Sequence, residues 1–240
     1  MFFRISSRFT STNSFSRFFS RSSSSSNGKI YELRTYDIIP EKLPTFLQLT
    51  NSLFHLRTAH SRMVGYWTSE LGALSQTVHL WEYDSYTHRT SVRKALSQDK
   101  EWLEAYVSKS FHCIKNQSNV TLSLLPWTPL NEENTDKPRA FQLIQCSLLP
   151  GRFKQWEHQI RQGWASRLRH SQPIGFWKTE FGPANNVYEL WAYESFDEAI
   201  AVNEKACLDE EWREAVCQAT LYTKESYVKG LLPIDISPLK

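Results

Sequence analysis

The stretch Val64-Gly65-Tyr66-Trp67-Thr68-Ser69-Glu70-Leu71-Gly72 is answered 110 residues later by Ile174-Gly175-Phe176-Trp177-Lys178-Thr179-Glu180-Phe181-Gly182. The same offset carries Arg57-x-x-His60-Ser61 onto Arg167-x-x-His170-Ser171 and Leu80-Trp81-x-Tyr83 onto Leu190-Trp191-x-Tyr193. It also carries Asp99-x-Glu101-Trp102 onto Asp209-x-Glu211-Trp212, and Pro40 onto Pro150. A gapless repeat through so many uncommon residues means that one structural unit occurs twice.

Working outward from that stretch, each copy reads as one unit. Ile30 to Tyr36 is a β-rich run, and after Pro40 the apolar residues from Glu41 to Thr58 fall at helical spacing. Val64 to Leu71 and Thr77 to Tyr83 read as a hairpin turning near Gly72. Ser85 to Leu96 and Asp99 to Cys113 read as helices, with Ser85 a candidate N-cap, and Val120 to Leu125 as a last strand. The order β-α-β-β-α-β is the ferredoxin-like split unit. The expected organisation is a Ser-rich segment 1–28, a first unit 29–128, a linker 129–139, a second unit 140–234 and a tail 235–240.

Helices cover one face of such a sheet, and the other face must be solvated or meet a second sheet. Alternation along the strands assigns Val78 and Leu80 to the helix side and leaves His79, Trp81 and Tyr83 on the open side. The same reasoning puts Glu32, Arg34 and Tyr36 of the first strand on the open side, with Trp67, Trp177, Glu189 and Trp191. Four tryptophans on open faces imply that the faces meet. The fold class is therefore α+β: two tandem ferredoxin-like units packed sheet to sheet as an intramolecular α/β barrel. The candidate ligand-binding set facing its interior is Glu32, Arg34, Tyr36, Trp67, His79, Trp81, Trp177, Glu189 and Trp191. His79 and Glu189 occupy equivalent positions, and either could exchange a proton in an apolar space.

Of 240 residues, 40% are apolar and 22% charged, as in an ordinary soluble protein, with nine Trp. No apolar run approaches the ~20 residues that span a bilayer, so no transmembrane segment is expected. The four cysteines make no CxxC pair or zinc-ligand spacing, which points to reduced thiols and no metal. Arg4, Arg8, Arg17 and Arg21 lie in the first 28 residues, which contain no Asp or Glu and many Ser and Phe. That composition belongs to a mitochondrial transit peptide, with Arg17-Phe18-Phe19-Ser20 as a processing site. Cleavage before Ser20 removes three of 28 basic residues and leaves 25 against 25 acidic ones. A neutral chain without basic stripes argues against nucleic acid as a partner.

Tyr31-Glu32-Leu33-Arg34-Thr35-Tyr36, Val64-Gly65-Tyr66-Trp67, His88-Arg89-Thr90, Val92-Arg93-Lys94-Ala95-Leu96, Asp99-Lys100-Glu101-Trp102 and Pro126-Trp127 together resemble the NipSnap family, in particular its shorter members. The resemblance spans nearly the whole chain after residue 28. It implies tandem domains of the dimeric α/β-barrel class, residence in the mitochondrial matrix, and roles in vesicle transport and in marking damaged mitochondria through autophagy adaptors. It supplies no catalytic residues and no cofactor. Glu194-Ser195-Phe196-Asp197-Glu198 departs from the first copy's Tyr86–Thr90 region, so any role of His88 and Arg89 is confined to the first copy.

No phosphate loop, nucleophile elbow or metalloprotease motif is present. The expected function is a non-enzymatic mitochondrial adaptor or scaffold that binds a small hydrophobic ligand, with homo-oligomerisation left open. The alternative is an oxygenase- or isomerase-like enzyme using the barrel interior, with His60 or His170 as a haem ligand. Tyr36-Asp37-Ile38-Ile39 has the aromatic-x-x-aliphatic pattern of autophagy-adaptor ligands, but a central strand would hide it.

Overall fold

The structure is a computed structural model that describes residues 28–132 and 139–240. The transit-peptide reading falls on residues outside those described. Each copy forms the expected unit. The first has β1 (Ile30–Ile38), α1 (Leu43–Leu53), α2 (His55–Thr58), β2 (Arg62–Leu71), β3 (Gln76–Tyr83), α3 (Tyr86–Leu96), a π-helical segment (Trp102–Val107) running into the short α4 (Ser108–Ser110), and β4 (Ile114–Leu124). The second has β5 (Ala140–Leu148), α5 (Phe153–Gln162), α6 (Trp164–Leu168), β6 (Pro173–Phe181), β7 (Asn186–Tyr193), α7 (Phe196–Leu208), α8 (Glu210–Thr220) and β8 (Thr223–Pro233).

The local signals act symmetrically. The Ser85 and Ser195 hydroxyls each accept from a backbone N–H three residues on, at 3.1 Å, and so cap α3 and α7. Ser75 and Asn185, 110 apart, both take positive φ in the hairpins, beside Gly72 and Gly182. One element differs. Trp102–Val107 is π-helical, whereas its counterpart in α8 is regular helix.

The strands close into a barrel in the order β1-β3-β2-β8-β5-β7-β6-β4. Within each copy the pairing is antiparallel. The copies join where β2 meets β8 and β4 meets β6. Ring contacts across the barrel are reciprocal. Trp67 packs on Phe141 at 5.4 Å between ring centroids, and Trp177 packs on Tyr31 at 5.8 Å. Both pairs obey the offset of the repeat, so the copies meet about a pseudo-twofold axis, as subunits of an isologous dimer do. Residues 235–240, read from sequence as a tail, fold back on the barrel: Ser237 Oγ accepts from the Tyr66 N–H, and Leu239 is buried with the interior residues.

The facing of three strands, β1, β3 and β7, differs from the sequence expectation. The interior is filled by Leu33, Trp67, Val78, Leu80, Leu122, Leu143, Trp177, Tyr188, Leu190 and Leu231. Glu32, Arg34, Tyr36, His79, Trp81, Glu189 and Trp191 do not face it; they lie on the helix side. The register gives the reason. Tyr66 sits directly opposite His79, and Trp67 opposite Val78. Opposed residues share a face, so Tyr66 under the helices commits His79 to the same side. Arg34 opposite His79 and Glu32 opposite Trp81 then follow. Around the two indoles the remaining space, about 10 Å³, holds at most one water, while one end of the barrel, where Thr35, Gln145 and Lys229 join Leu33, Leu143 and Tyr188, opens as a polar mouth of about 290 Å³.

The Gly-aromatic-Trp motif has a packing cause. Gly65 and Trp67 share a strand face, and the indole folds back over the glycine: a Cβ built at Gly65 would lie 2.2 Å from its ring. At Gly175 the same approach to Trp177 is 2.7 Å. We expect Gly65→Ala to destabilise the fold by about 1–3 kcal/mol, the scale of overpacking, and Gly175→Ala by less. Urea unfolding checks this, and an unchanged midpoint for Gly65→Ala would contradict the packing.

Candidate functional site

The middle of the interior is full, and the mouth at its end is mostly polar, so the enclosed aromatic space for a ligand lies between sheet and helices. The first copy holds a cavity of about 330 Å³ there, and the second one of about 370 Å³. Both sit at the low end of the range for small-molecule sites.

Part of each cavity is the same scaffold. The Arg57 guanidinium stacks on the Trp81 ring at 3.8 Å and donates to Ser61 Oγ (2.7 Å) and the Tyr83 hydroxyl (2.9 Å). Arg167 repeats this with Trp191 (4.0 Å), Ser171 (2.7 Å) and Tyr193 (3.0 Å). A buried guanidinium is thus satisfied by hydroxyls and an aromatic face. His60 Nε2 lies 3.0 Å from Asp99, and His170 Nε2 lies 3.6 Å from Asp209. The repeated Arg-x-x-His-Ser motif therefore ties the first helices to the sheet and to the last helices. The haem expectation for His60 and His170 finds both rings turned to carboxylates instead.

The other cavity residues have diverged. In the first copy Trp81 Nε1–H donates to His79 Nδ1 at 2.6 Å. An indole can only donate, so Nδ1 must accept, and the proton of the neutral imidazole sits on Nε2. That Nε2 is buried and has no partner among the described residues. Burial holds the His79 pKa well below its ordinary value, and the charges of Arg34 and Arg57 add to the effect. In the second copy Trp191 Nε1–H donates to Glu189 Oε2 at 3.1 Å. Burial pushes Glu189 up to about 7 against the pull of that hydrogen bond and of Arg167. The indole thus orients a donor in one copy and a titrating acid in the other.

Glu32 is fully buried beside the first cavity. It accepts from Arg89 Nη2 (2.7 Å), Arg89 Nε (3.0 Å) and Asn119 (2.6 Å), with Arg34 at 3.9 Å. Burial would raise its pKa, but the Arg89 hydrogen bonds, the charge of Arg34 and the Asn119 hydrogen bond hold it below the ordinary value. Tyr36 stands edge-on to His79 at 4.8 Å, and Tyr66 stacks on His79 at 4.6 Å. The π-helical segment supplies Trp102 and Tyr106, stacked at 4.5 Å; such segments recur at functional sites.

The structure thus gathers Arg34, Tyr36, His79 and Trp81 in one cavity, with Glu32 behind it. Glu189 and Trp191 lie in the second cavity, and Trp67 and Trp177 in neither. The alternation argument missed Arg93, Phe54, Trp102 and Tyr106. The pairing of Tyr66 with His79 is the signal for the right face, since alternation puts Tyr66 opposite Trp67 across the strand and so on the helix side.

The comparisons agree with this architecture. The NIPSNAP family model matches twice, over residues 31–129 and 141–238. The chain belongs to the NIPSNAP family. It is 36% identical to protein NipSnap homolog 3B of Mus musculus over 218 residues, covering 90% of this chain and 87% of that protein. It is also 36% identical to protein NipSnap homolog 3A of Homo sapiens, covering 89% and 87%. The crystal structure of an anthrone oxidase-like protein superposes with a TM-score of 0.62 at 10% identity, covering 90% of this chain and 95% of that one. That likeness concerns the fold alone.

Two outcomes follow for this NIPSNAP chain. Trp81→Ala should cost about 3–5 kcal/mol, since it empties a buried indole site and strips Arg57 of its aromatic partner; thermal or urea unfolding reads this directly. The two buried acceptors should also give opposite pH dependences. Native Glu189 binds its proton up to about pH 7, whereas the unfolded chain releases it near 4.5, so its contribution falls as pH rises through that window. Native His79 resists protonation that the unfolded chain accepts near 6.5, so its contribution falls as pH drops below that value. Relative to wild type, Glu189→Gln should gain stability between pH 5 and pH 7.5. His79→Gln should gain it between pH 7.5 and pH 5. Equal slopes in all three proteins would contradict the assignment.

Proposed function

We propose that the protein is a mitochondrial scaffold that binds a small ligand between the sheet and helices of its first copy. In this reading it works as an adaptor in quality control or vesicle transport rather than by turnover. The observation that carries the proposal is the first-copy cavity. Its wall combines Trp102, Tyr106 and Tyr36 with Arg34 and a His79 whose tautomer is fixed by Trp81. A preset donor in an aromatic cavity suits binding and orientation. Four Arg and no acid in the first 28 residues support the mitochondrial address. Family membership supports protein partners, with autophagy adaptors the class that the resemblance implies.

One observation favours a second reading. Glu189, at about 7 in the second cavity, is suited to proton transfer near neutral pH, the need of an isomerase-like enzyme. The reaction space would then be that cavity, not the barrel interior.

Native mass spectrometry of the protein purified from its own mitochondria tests the leading reading. We expect a chain lacking residues 1–19 that carries a non-covalent small molecule, lost in Trp102→Ala. A full-length cytosolic chain without an adduct would overturn it. A substrate turned over by wild type and not by Glu189→Gln would establish the alternative.

A further inference from the structure

The two cavities differ most in charge. Three arginines, Arg34, Arg57 and Arg93, line the first, and no carboxylate does. The nearest acid, Glu32, is already held by Arg89 and Asn119. At the equivalent positions the second cavity has Ile144 for Arg34 and Asn203 for Arg93, which leaves Arg167 as its one arginine, with the acid Glu189 on the same wall. The excess of cation is thus confined to the first copy, on a scaffold otherwise shared.

The three guanidiniums are not equally engaged. Arg57 is committed to Ser61, Tyr83 and the Trp81 face. Arg34 makes a long contact to Gln117 (3.4 Å), the 3.9 Å approach to Glu32 and a loose stack over the Tyr36 ring (5.4 Å), and its Nε has no partner. Arg93, exposed on α3, has no side-chain hydrogen bond or ion pair among the described residues. Deeper in, the wall is aromatic and aliphatic, and the unpartnered His79 Nε2–H belongs to it. Free guanidinium donors beside an apolar chamber are the complement of an amphipathic anion. The helical segment that starts at Trp102 offers the cavity no free N–H at that residue, because Asp99 Oδ1 accepts from it at 3.0 Å, so the anion-binding part is side-chain guanidinium, whose fork takes a carboxylate in two parallel hydrogen bonds.

We infer that the first-copy cavity takes an apolar monocarboxylate, a slender acyl chain or flat aryl body, with Arg34 and Arg93 receiving the carboxylate and the aromatic wall the body. This rests on the ligand-binding reading above and names its ligand class. The second copy, whose one guanidinium is engaged by Ser171, Tyr193 and Asn203 and shares its wall with an acid, does not select for an anion.

Isothermal titration calorimetry of the purified chain with decanoate, decanol, decyl phosphate and 2-naphthoate tests the inference. At least one of the two carboxylates should bind at one per chain, and decanoate should bind tenfold or more tighter than decanol. Arg34→Gln and Arg93→Gln should each weaken the carboxylate by roughly tenfold, with decanol little changed. Arg213→Gln, on an exposed position of α8, should have no effect, and matched melting curves keep a folding defect from imitating loss of binding. Equal affinity for decanoate and decanol, unmoved by either variant, would overturn the anion assignment while leaving a ligand-binding cavity. Tighter binding of decyl phosphate would overturn it in favour of phosphate. Binding of none of the four, with a small molecule still retained by the native protein, would overturn the ligand class alone. Binding of none, with nothing retained, would overturn both readings.

Discussion

The constraint on which the structure depends is the width of the closed barrel. Two indoles, Trp67 and Trp177, enter from opposite copies, and each fits only because the strand carrying it has a glycine two residues earlier. Each indole lies over its own glycine and reaches a ring of the other copy, Phe141 or Tyr31. With the axis occupied in this way, the middle of the barrel takes Leu and Val around the indoles and has almost no free volume. Polar side chains are left to the barrel mouth, with Asp37, Gln76 and Lys229, and to the layer between sheet and helices. The place of both cavities follows from the packing at the centre.

In that outer layer the repeat separates structural residues from specific ones. Where both copies keep a residue, its role is the same twice: Arg57 and Arg167 stack on an indole, and His60 and His170 approach an aspartate. Where the copies differ, the differences gather around the cavities. His79 is replaced at the equivalent position by Glu189, Arg34 by Ile144, and Arg93 by Asn203. The indole of the Leu-Trp-x-Tyr motif links the two classes of residue, since it is both the floor for the arginine and the donor to the diverged side chain.

The fold was legible in the sequence because the repeat fixes the number of units, and tryptophans on open faces demand that the sheets meet, a demand that Trp67 and Trp177 alone carry, since Trp81 and Trp191 lie under the helices. The facing of β1, β3 and β7 was not. Val78 and Leu80 are apolar, but so are Trp81 and Tyr83, and alternation between two apolar sets does not say which faces the helices. Cross-strand register settles it, and register depends on the bulge between Met63 and Gly65, which single-strand alternation does not reveal. The candidate residues were mostly the right ones on the wrong side. Arg93 went unnoticed because an exposed arginine on a helix carries no periodic signal, and the π-helical stretch from Trp102 leaves no mark distinct from that of an α-helix.

The covalent union of the two units has a consequence for what selection can reach. In a barrel made of two identical chains, every substitution appears at both ends of the twofold axis, so a change that suits one chamber is imposed on the other. Here the linker region between β4 and β5 makes the ends genetically independent. One chamber has become cationic while the other keeps one arginine and a glutamate, and the barrel between them has stayed nearly symmetric. Such a molecule can acquire two specificities without altering the packing that holds it together.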